Sequence, residues 1–217
     1  TGSVGSSVLS VCRAYPDRFE VRAVAARSSV EKIEQIADEF KSSTVVLTNA
    51  SAAADLAVRA GDRFSVLSGI SAMEETAARS DIDHVVVASS GTEAVHALLR
   101  ALREDKDVSL ANKESIVAGG RWIIPHIRRE GQLRPLDSEH NAVWQCLQGR
   151  DPSTVKKIYL TASGGPFRTL PAEELQNVTP EMAVAHPVWD MGAKISVDSA
   201  TLMNKGIEIL EAMSLFR

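Results

Sequence analysis

Asp83-His84-Val85-Val86-Val87-Ala88 is a β-branched run of strand length, and Thr92–Glu104 behind it spaces its apolar residues as a helix does. Asp107-Val108-Ser109-Leu110-Ala111 then returns to the strand pattern. A strand, a helix and a second strand in such quick succession form the unit from which parallel sheets are built. The rhythm extends outward. Phe19–Ala26 and Thr44–Thr48 upstream, and Val155–Thr161 downstream, read as strands. Ser7–Tyr15, Val30–Phe40, Ser51–Ala60, Ser71–Arg79 and Glu114–Glu130 read as helices. The pattern predicts an α/β fold, a doubly wound parallel sheet with helices on both faces.

Past Asp137 the rhythm changes, with more loop, more Pro and Gly, and helical patterns at Ser138–Gln148 and Ser199–Phe216. Pro135 closes a short strand, so the expected division is residues 1–136 and 137–217, the second being part of an α+β domain. His84, His96 and His126 fall in scaffold segments, and Trp122 and Trp144 are expected in the core. The chain of 217 residues is 44% apolar and 24% charged, an ordinary globular composition. A net charge of -4 argues against general nucleic-acid binding. The apolar runs are strand-sized, so no membrane span is expected. Cys12 and Cys146 lack metal-ligand or redox spacing, which points to a reducing cytoplasm. The chain starts at Thr1-Gly2-Ser3 and stops at Leu215-Phe216-Arg217 within a helical pattern, and reads as a fragment of a longer protein.

Gly2-Ser3-Val4-Gly5 runs directly into the first helical pattern. Glycines there let backbone approach a pyrophosphate, whose charge suits the free N–H groups and dipole of a helix start. Such a turn at the head of a strand–helix series is where a Rossmann-like domain binds its dinucleotide. An NAD site places Asp or Glu about 20 residues further on. This chain has Arg27-Ser28-Ser29 there, cationic and hydroxylic groups that favour the 2′-phosphate of NADP.

Two acidic clusters carry the remaining chemistry. Asp137 and Glu139 are two apart, so an extended segment would send both side chains to one face. Asn204, Lys205 and Glu208 share one face of a helix. Three carboxylates with oxygen donors only suit Mg²⁺ or Mn²⁺ rather than zinc. The same spacings equally describe a solvated face, or a helix capped at Ser138-Glu139, and spacing alone does not separate these readings. Ser163, Ser199, Asn204 and Lys205, beside the glycines of Ser163-Gly164-Gly165-Pro166, have the make-up of a phosphate grip. Turn chemistry and capping explain Ser199 as well. In Ala185-His186-Pro187-Val188-Trp189-Asp190-Met191-Gly192, an aromatic sits in an irregular stretch suited to a flap that excludes water.

Leu110-Ala111-Asn112-Lys113-Glu114-Ser115, Asp137-Ser138-Glu139-His140-Asn141-Ala142, Ser163-Gly164-Gly165-Pro166-Phe167 and Lys194 through Glu208 together resemble the 1-deoxy-D-xylulose 5-phosphate reductoisomerase family. The resemblance spans essentially the whole chain. It implies NADPH-dependent, divalent-metal-dependent conversion of that phosphorylated sugar to 2-C-methyl-D-erythritol 4-phosphate, in the non-mevalonate route to isoprenoids. Thr1, Gly2, Ser3 and Val4 would bind the NADPH pyrophosphate, and Arg27, Ser28 and Ser29 would lie near its 2′-phosphate. Asn112 and Glu114 would also touch NADPH, with Met191 and Gly192 towards the nicotinamide. Asp137, Glu139 and Glu208 would hold the metal. Lys113, Ser138, Glu139, Ser163, His186, Trp189, Ser199, Asn204, Lys205 and Glu208 would contact the substrate, with Glu139, Lys113 and His186 the catalytic candidates. A homodimer is implied for the longer protein.

The chain departs from the family pattern in places. Arg27-Ser28-Ser29 is a variable stretch, Val188 and Asp190 flank the tryptophan where polar residues of other kinds are common, and a first strand and a helical carboxy-terminal part are missing. The competing readings are an NADP-dependent two-domain dehydrogenase, for which the carboxylates have no purpose, and an inactive NADP-binding fragment. A semialdehyde dehydrogenase would further need a reactive cysteine, which neither Cys12 nor Cys146 resembles.

Overall fold

The computed structural model describes residues 1–185 and 192–216 and divides into two compact units, Thr1–Leu136 and Asp137–Arg217. The first unit opens with α1 (Ser3–Ala14), β1 (Ala23–Ala26), α2 (Val30–Phe40) and β2 (Thr44–Leu47). It continues with α3 (Ala50–Ala60), β3 (Ser65–Ser68), α4 (Ile70–Ala77) and β4 (His84–Val87). α5 (Val95–Arg103), β5 (Asp107–Leu110), α6 (Lys113–Ile123) and β6 (Leu133–Pro135) complete it.

Every ladder in this unit is parallel, in two three-stranded sheets ordered β1-β2-β3 and β4-β5-β6. β1 and β4 share no ladder among the described residues, so the parallel strands pair as two sets of three. β2 and β5 are the central strands. All four residues of β2 are buried, as expected of a strand covered on both faces. Val30, Ile33 and Ala37 of α2 pack with Val45 and Leu47 of β2 and with Ala53, Leu56 and Ala60 of α3. Their spacing of three or four is the apolar stripe of a sheet-facing helix. In the other half, Leu98 and Leu102 of α5 and Ile116 and Ile123 of α6 are almost fully buried.

The differences from expectation have local causes. β1 is shorter than Phe19–Ala26 because its ladder with β2 begins at Ala23, opposite Thr44. β3 was not anticipated, for its two apolar residues are flanked by serines and it is largely exposed at the sheet edge. α6 stops well short of Glu130. Pro125 supplies no N–H for a further helical turn, and the chain tightens into a 3-10 turn at Ile124–His126. Trp122 is not core but 63% exposed on α6. Trp144 is half-buried.

The second unit contains α7 (Ser138–Leu147), α8 (Pro180–Val184), α9 (Ala193–Ala200) and α10 (Met203–Leu215). Val155–Thr161 is not a strand. Its alternating pattern is suitable, but no described residue pairs with it. The single helix expected over Ser199–Phe216 is broken. Thr201 turns its hydroxyl back onto the carbonyls of Val197 and Asp198, and Leu202 takes a left-handed conformation at φ 61. α10 therefore starts afresh at Met203, which sets the direction of Asn204, Lys205 and Glu208. No helix among the described residues is long and apolar enough to cross a membrane.

Asp81 ties the amino-terminal ends of β1 and β2 together. It accepts from Arg79 at 2.6 and 2.8 Å and from Arg22 at 3.1 Å, while Arg79 also donates to Thr44 at the start of β2. The Arg79 guanidinium, helped by Arg22, holds the Asp81 carboxyl at about 2 against an ordinary 3.8. A depressed carboxyl stabilises the fold above its unfolded pKa and loses that contribution as pH falls through the folded one. Urea unfolding of Asp81→Asn should show lower stability than the parent near neutrality. The gap should close between pH of about 4 and about 2.

Candidate metal and substrate site

Three carboxylates converge in the second unit. One oxygen each from Asp137, Glu139 and Glu208 lie within 4.8 Å of one another. Asp137 is the N-cap residue of α7, where an Asp ordinarily accepts from the first free N–H groups. It makes no such bond here. Its carboxylate is turned instead to the cluster, and Glu139 follows in the first turn of α7. The two share a site because a helix starts between them, not because the segment is extended. Glu208, 1% exposed, comes from α10.

A cation and neutral hydrogen-bond donors hold Glu139 and Glu208. The Lys205 ammonium donates to Glu139 at 3.0 Å and also to Glu208. Asn204 donates to the other oxygen of Glu208, and Ser138 donates to Glu139. Burial alone would raise the Glu139 carboxyl, but the bonds from Ser138 and Lys205 outweigh it and hold it below its ordinary value. Burial would likewise lower Lys205, and Glu208 and Glu139 together hold it above its ordinary value. Both groups are thus kept charged at neutral pH.

Behind this shell lies a residue that the sequence reading passed over. His140 is fully buried, and its Nε2 lies 2.8 Å from the main-chain carbonyl of Glu208. A carbonyl can only accept, so Nε2 carries the proton. Nδ1 faces Glu211 at 3.4 Å and Asp137 at 3.8 Å, and the ring stacks on Phe216. His140 therefore joins the start of α7 to the turn of α10 that carries Glu208. The signal was present in the spacing: His140 stands three after Asp137 and Glu211 three after Glu208, each on the face of its partner.

The small-residue loop meets α9. The Ser163 and Ser199 hydroxyls are 3.5 Å apart, and Arg168 donates to the Ser163 carbonyl at 3.1 Å. Gly165 permits the approach. A Cβ there would stand 2.6 Å from the Ser199 carbonyl oxygen, and its φ of 67 is one that L side chains rarely adopt. Ser199 lies in the last turn of α9, not before a helix as expected. Gly192 is the N-cap of α9. His186, Trp189 and Met191 lie outside the described residues.

In the first unit, Arg27, Ser28 and Ser29 follow the carboxyl end of β1 and Asn112 follows that of β5, while Thr1 to Val4 lie at the start of α1. Gly2 is the N-cap of α1, and no protein atom lies within 4 Å of where its Cβ would sit, so space beside the backbone is open. The Thr1 carbonyl accepts from Lys32 in the first turn of α2. Ser3 and Val4 open α1. Arg27, Ser28 and Ser29 form the exposed loop after β1. Asn112 caps α6, followed by the buried Lys113 and half-buried Glu114.

The donor set fits a divalent cation of the hard kind. Three carboxylates offer oxygen alone, and Glu139 and Glu208 are oriented by Ser138, Asn204 and Lys205. His140→Ala should weaken Mn²⁺ binding roughly 10–100-fold, the usual effect of removing a supporting contact, as read by titration of the Mn²⁺ electron paramagnetic resonance signal. Gly165→Ala should cost about 1–3 kcal/mol in urea unfolding through the disfavoured backbone alone, before any clash with Ser199.

Known proteins match at both levels of comparison. The family profile described as 1-deoxy-D-xylulose 5-phosphate reductoisomerase covers residues 1–120, and that of the same enzyme's C-terminal domain covers residues 133–216. The 1-deoxy-D-xylulose 5-phosphate reductoisomerase of Desulfitobacterium hafniense (strain Y51) is 47% identical over all of this chain, which spans 57% of the relative. That of Chlamydia muridarum is 45% identical with the same coverage. Among solved structures, the reductoisomerase from Zymomonas mobilis in complex with NADPH matches with TM-score 0.90 and 40% identity over the whole chain and 56% of its own. A reductoisomerase in complex with NADPH, fosmidomycin and magnesium matches with TM-score 0.90 at 37% identity, with the same coverage. The chain spans a little over half the length of these relatives, and with profiles matched on both units it belongs to the 1-deoxy-D-xylulose 5-phosphate reductoisomerase family.

Proposed function

We propose that this chain carries the cofactor, metal and substrate groups of an enzyme that rearranges 1-deoxy-D-xylulose 5-phosphate and reduces it with NADPH to 2-C-methyl-D-erythritol 4-phosphate. The observation that carries the reading is the convergence of Asp137, Glu139 and Glu208 within 4.8 Å, in a chain of this family. Residues 1–136 are the NADPH-binding domain, with Thr1, Gly2, Ser3 and Val4 towards the pyrophosphate and Arg27, Ser28 and Ser29 towards the 2′-phosphate. Asn112, Glu114, Met191 and Gly192 complete the cofactor set. Residues 137–217 bind metal and substrate.

A divalent ion held by Asp137, Glu139 and Glu208, Mg²⁺ or Mn²⁺, supplies Lewis acidity towards the substrate's carbonyl and hydroxyl oxygens. The protein groups do the rest. Glu139, kept anionic by Ser138 and Lys205, accepts a hydroxyl proton during the carbon-skeleton rearrangement. Lys113 donates to the substrate's oxygen functions. Ser163, Ser199, Asn204 and Lys205 grip the phosphate, and that anchoring of the non-reacting end orients the reacting carbons. The parts of His186, Trp189 and Met191 rest on the sequence motif alone. A homodimer of the longer protein in a reducing cytoplasm, where Cys12 and Cys146 stay free thiols, completes the proposal.

The test is loss of NADPH absorbance with 1-deoxy-D-xylulose 5-phosphate, with and without Mn²⁺, for this chain and for a version extended to the length of its relatives. Metal-dependent turnover is expected of the extended protein. Glu208→Gln should reduce it at least a hundredfold, on the order expected when one charged ligand of a catalytic metal is lost. A folded, NADPH-binding extended protein that does not turn over would overturn the proposal.

A further inference from the structure

Asn112 is 2% exposed at the carboxyl end of β5, and every hydrogen-bonding position of its amide is used inside the protein. The nitrogen donates to the main-chain carbonyls of Ser89 and Gly91, both at 2.6 Å. The oxygen accepts from the Ser115 N–H at 2.7 Å and from the Ser115 hydroxyl at 2.5 Å. Carbonyls only accept and a backbone N–H only donates, so these partners fix which end of the amide is which. A primary amide has two N–H donors and an oxygen with two lone pairs, and all four positions are taken. The side chain has nothing left to offer a nucleotide.

It does hold a loop. Ser89, Ser90, Gly91 and Thr92 follow β4, are exposed, and turn at Gly91 with φ 75. Glu93 next to them accepts from Thr48, which follows β2. The loop thus belongs to the carboxyl edge of the parallel strands, where open α/β sheets bind their ligands. Without side-chain ties, a glycine-containing exposed loop of this kind samples many conformations.

We propose that Asn112 is a positioning residue for the dinucleotide: it locks the Ser89–Thr92 loop to the first turn of α6, and the loop's backbone and serine hydroxyls, not the Asn112 amide, face the nucleotide. This rests on the NADPH reading given above and changes the role expected of Asn112 within it.

Two substitutions and one control test it in the protein of the relatives' length. Asn112→Ser keeps a capping oxygen for α6 and drops both bonds to the loop. Asn112→Asp keeps the cap and sets a carboxylate oxygen against two carbonyls. Ser115→Ala removes one bond to the cap and leaves the loop bonds intact. Cleavage within residues 89–92 by a broad-specificity protease, without nucleotide, should quicken in both Asn112 variants. Their dissociation constant for NADPH should rise roughly tenfold or more. Ser115→Ala should match the parent in both readouts, and Mn²⁺ affinity should stay within about twofold in all three, as expected of independent sites. Faster cleavage with unchanged NADPH binding would overturn the inference. So would weaker NADPH binding with the loop cleaved no faster than in the parent, which would make Asn112 a direct ligand. If the parent itself does not bind NADPH, the functional reading fails first, and this inference falls with it.

Discussion

Three carboxylates brought within 4.8 Å repel one another, and much of the second unit answers that repulsion. Left in water the side chains would separate. Here Glu208 is buried and the start of α7 holds the other two in place. The compensation is layered. The Lys205 ammonium spans Glu139 and Glu208, Ser138 and Asn204 give hydrogen bonds, and His140 fastens the Glu208 turn from behind. A cluster so arranged keeps negative charge to spare for a divalent ion even with the Lys205 ammonium beside it.

The geometry depends on where helices begin. α7 begins at the acidic cluster, so Asp137 and Glu139 diverge from one turn instead of lying along a strand. α10 begins after the left-handed Leu202, so Asn204, Lys205 and Glu208 form one face independent of the direction of α9. Had the helix run unbroken from Ser199, the serine hydroxyl and the carboxylate would have been locked to one phase. The break allows Ser199 to meet Ser163 while Glu208 meets Asp137.

Much of the fold was legible because periodicity is strong in buried elements. β2 and β4 carry β-branched runs, β5 buries Val108, Ser109 and Leu110 in one stretch, and α2 and α5 carry clear stripes. The edges were not. β3 has only Val66 and Leu67 between serines, and whether Val155–Thr161 forms a strand depends on a partner that its own alternation cannot specify. Within the site, carboxylate spacing pointed to Asp137, Glu139 and Glu208 but could not distinguish a capped helix from a ligand set. That distinction is a matter of which way Asp137 turns, and only three-dimensional structure shows that. His140 was missed because a histidine within a helix looks structural until its carbonyl partner is known. Asn112 was assigned to the nucleotide by its position in a motif. Its saturation by Ser89, Gly91 and Ser115 depends on contacts far apart in sequence.

Gly165 has a consequence for how this pocket can evolve. Two separate constraints, a left-handed backbone and the Ser199 carbonyl where a side chain would begin, act on one position. Any side chain at 165 would have to displace the Ser199 carbonyl before it could reshape the loop. Variation in what the loop displays is therefore left to the side chains that flank it, among them Ser163, whose hydroxyl meets that of Ser199.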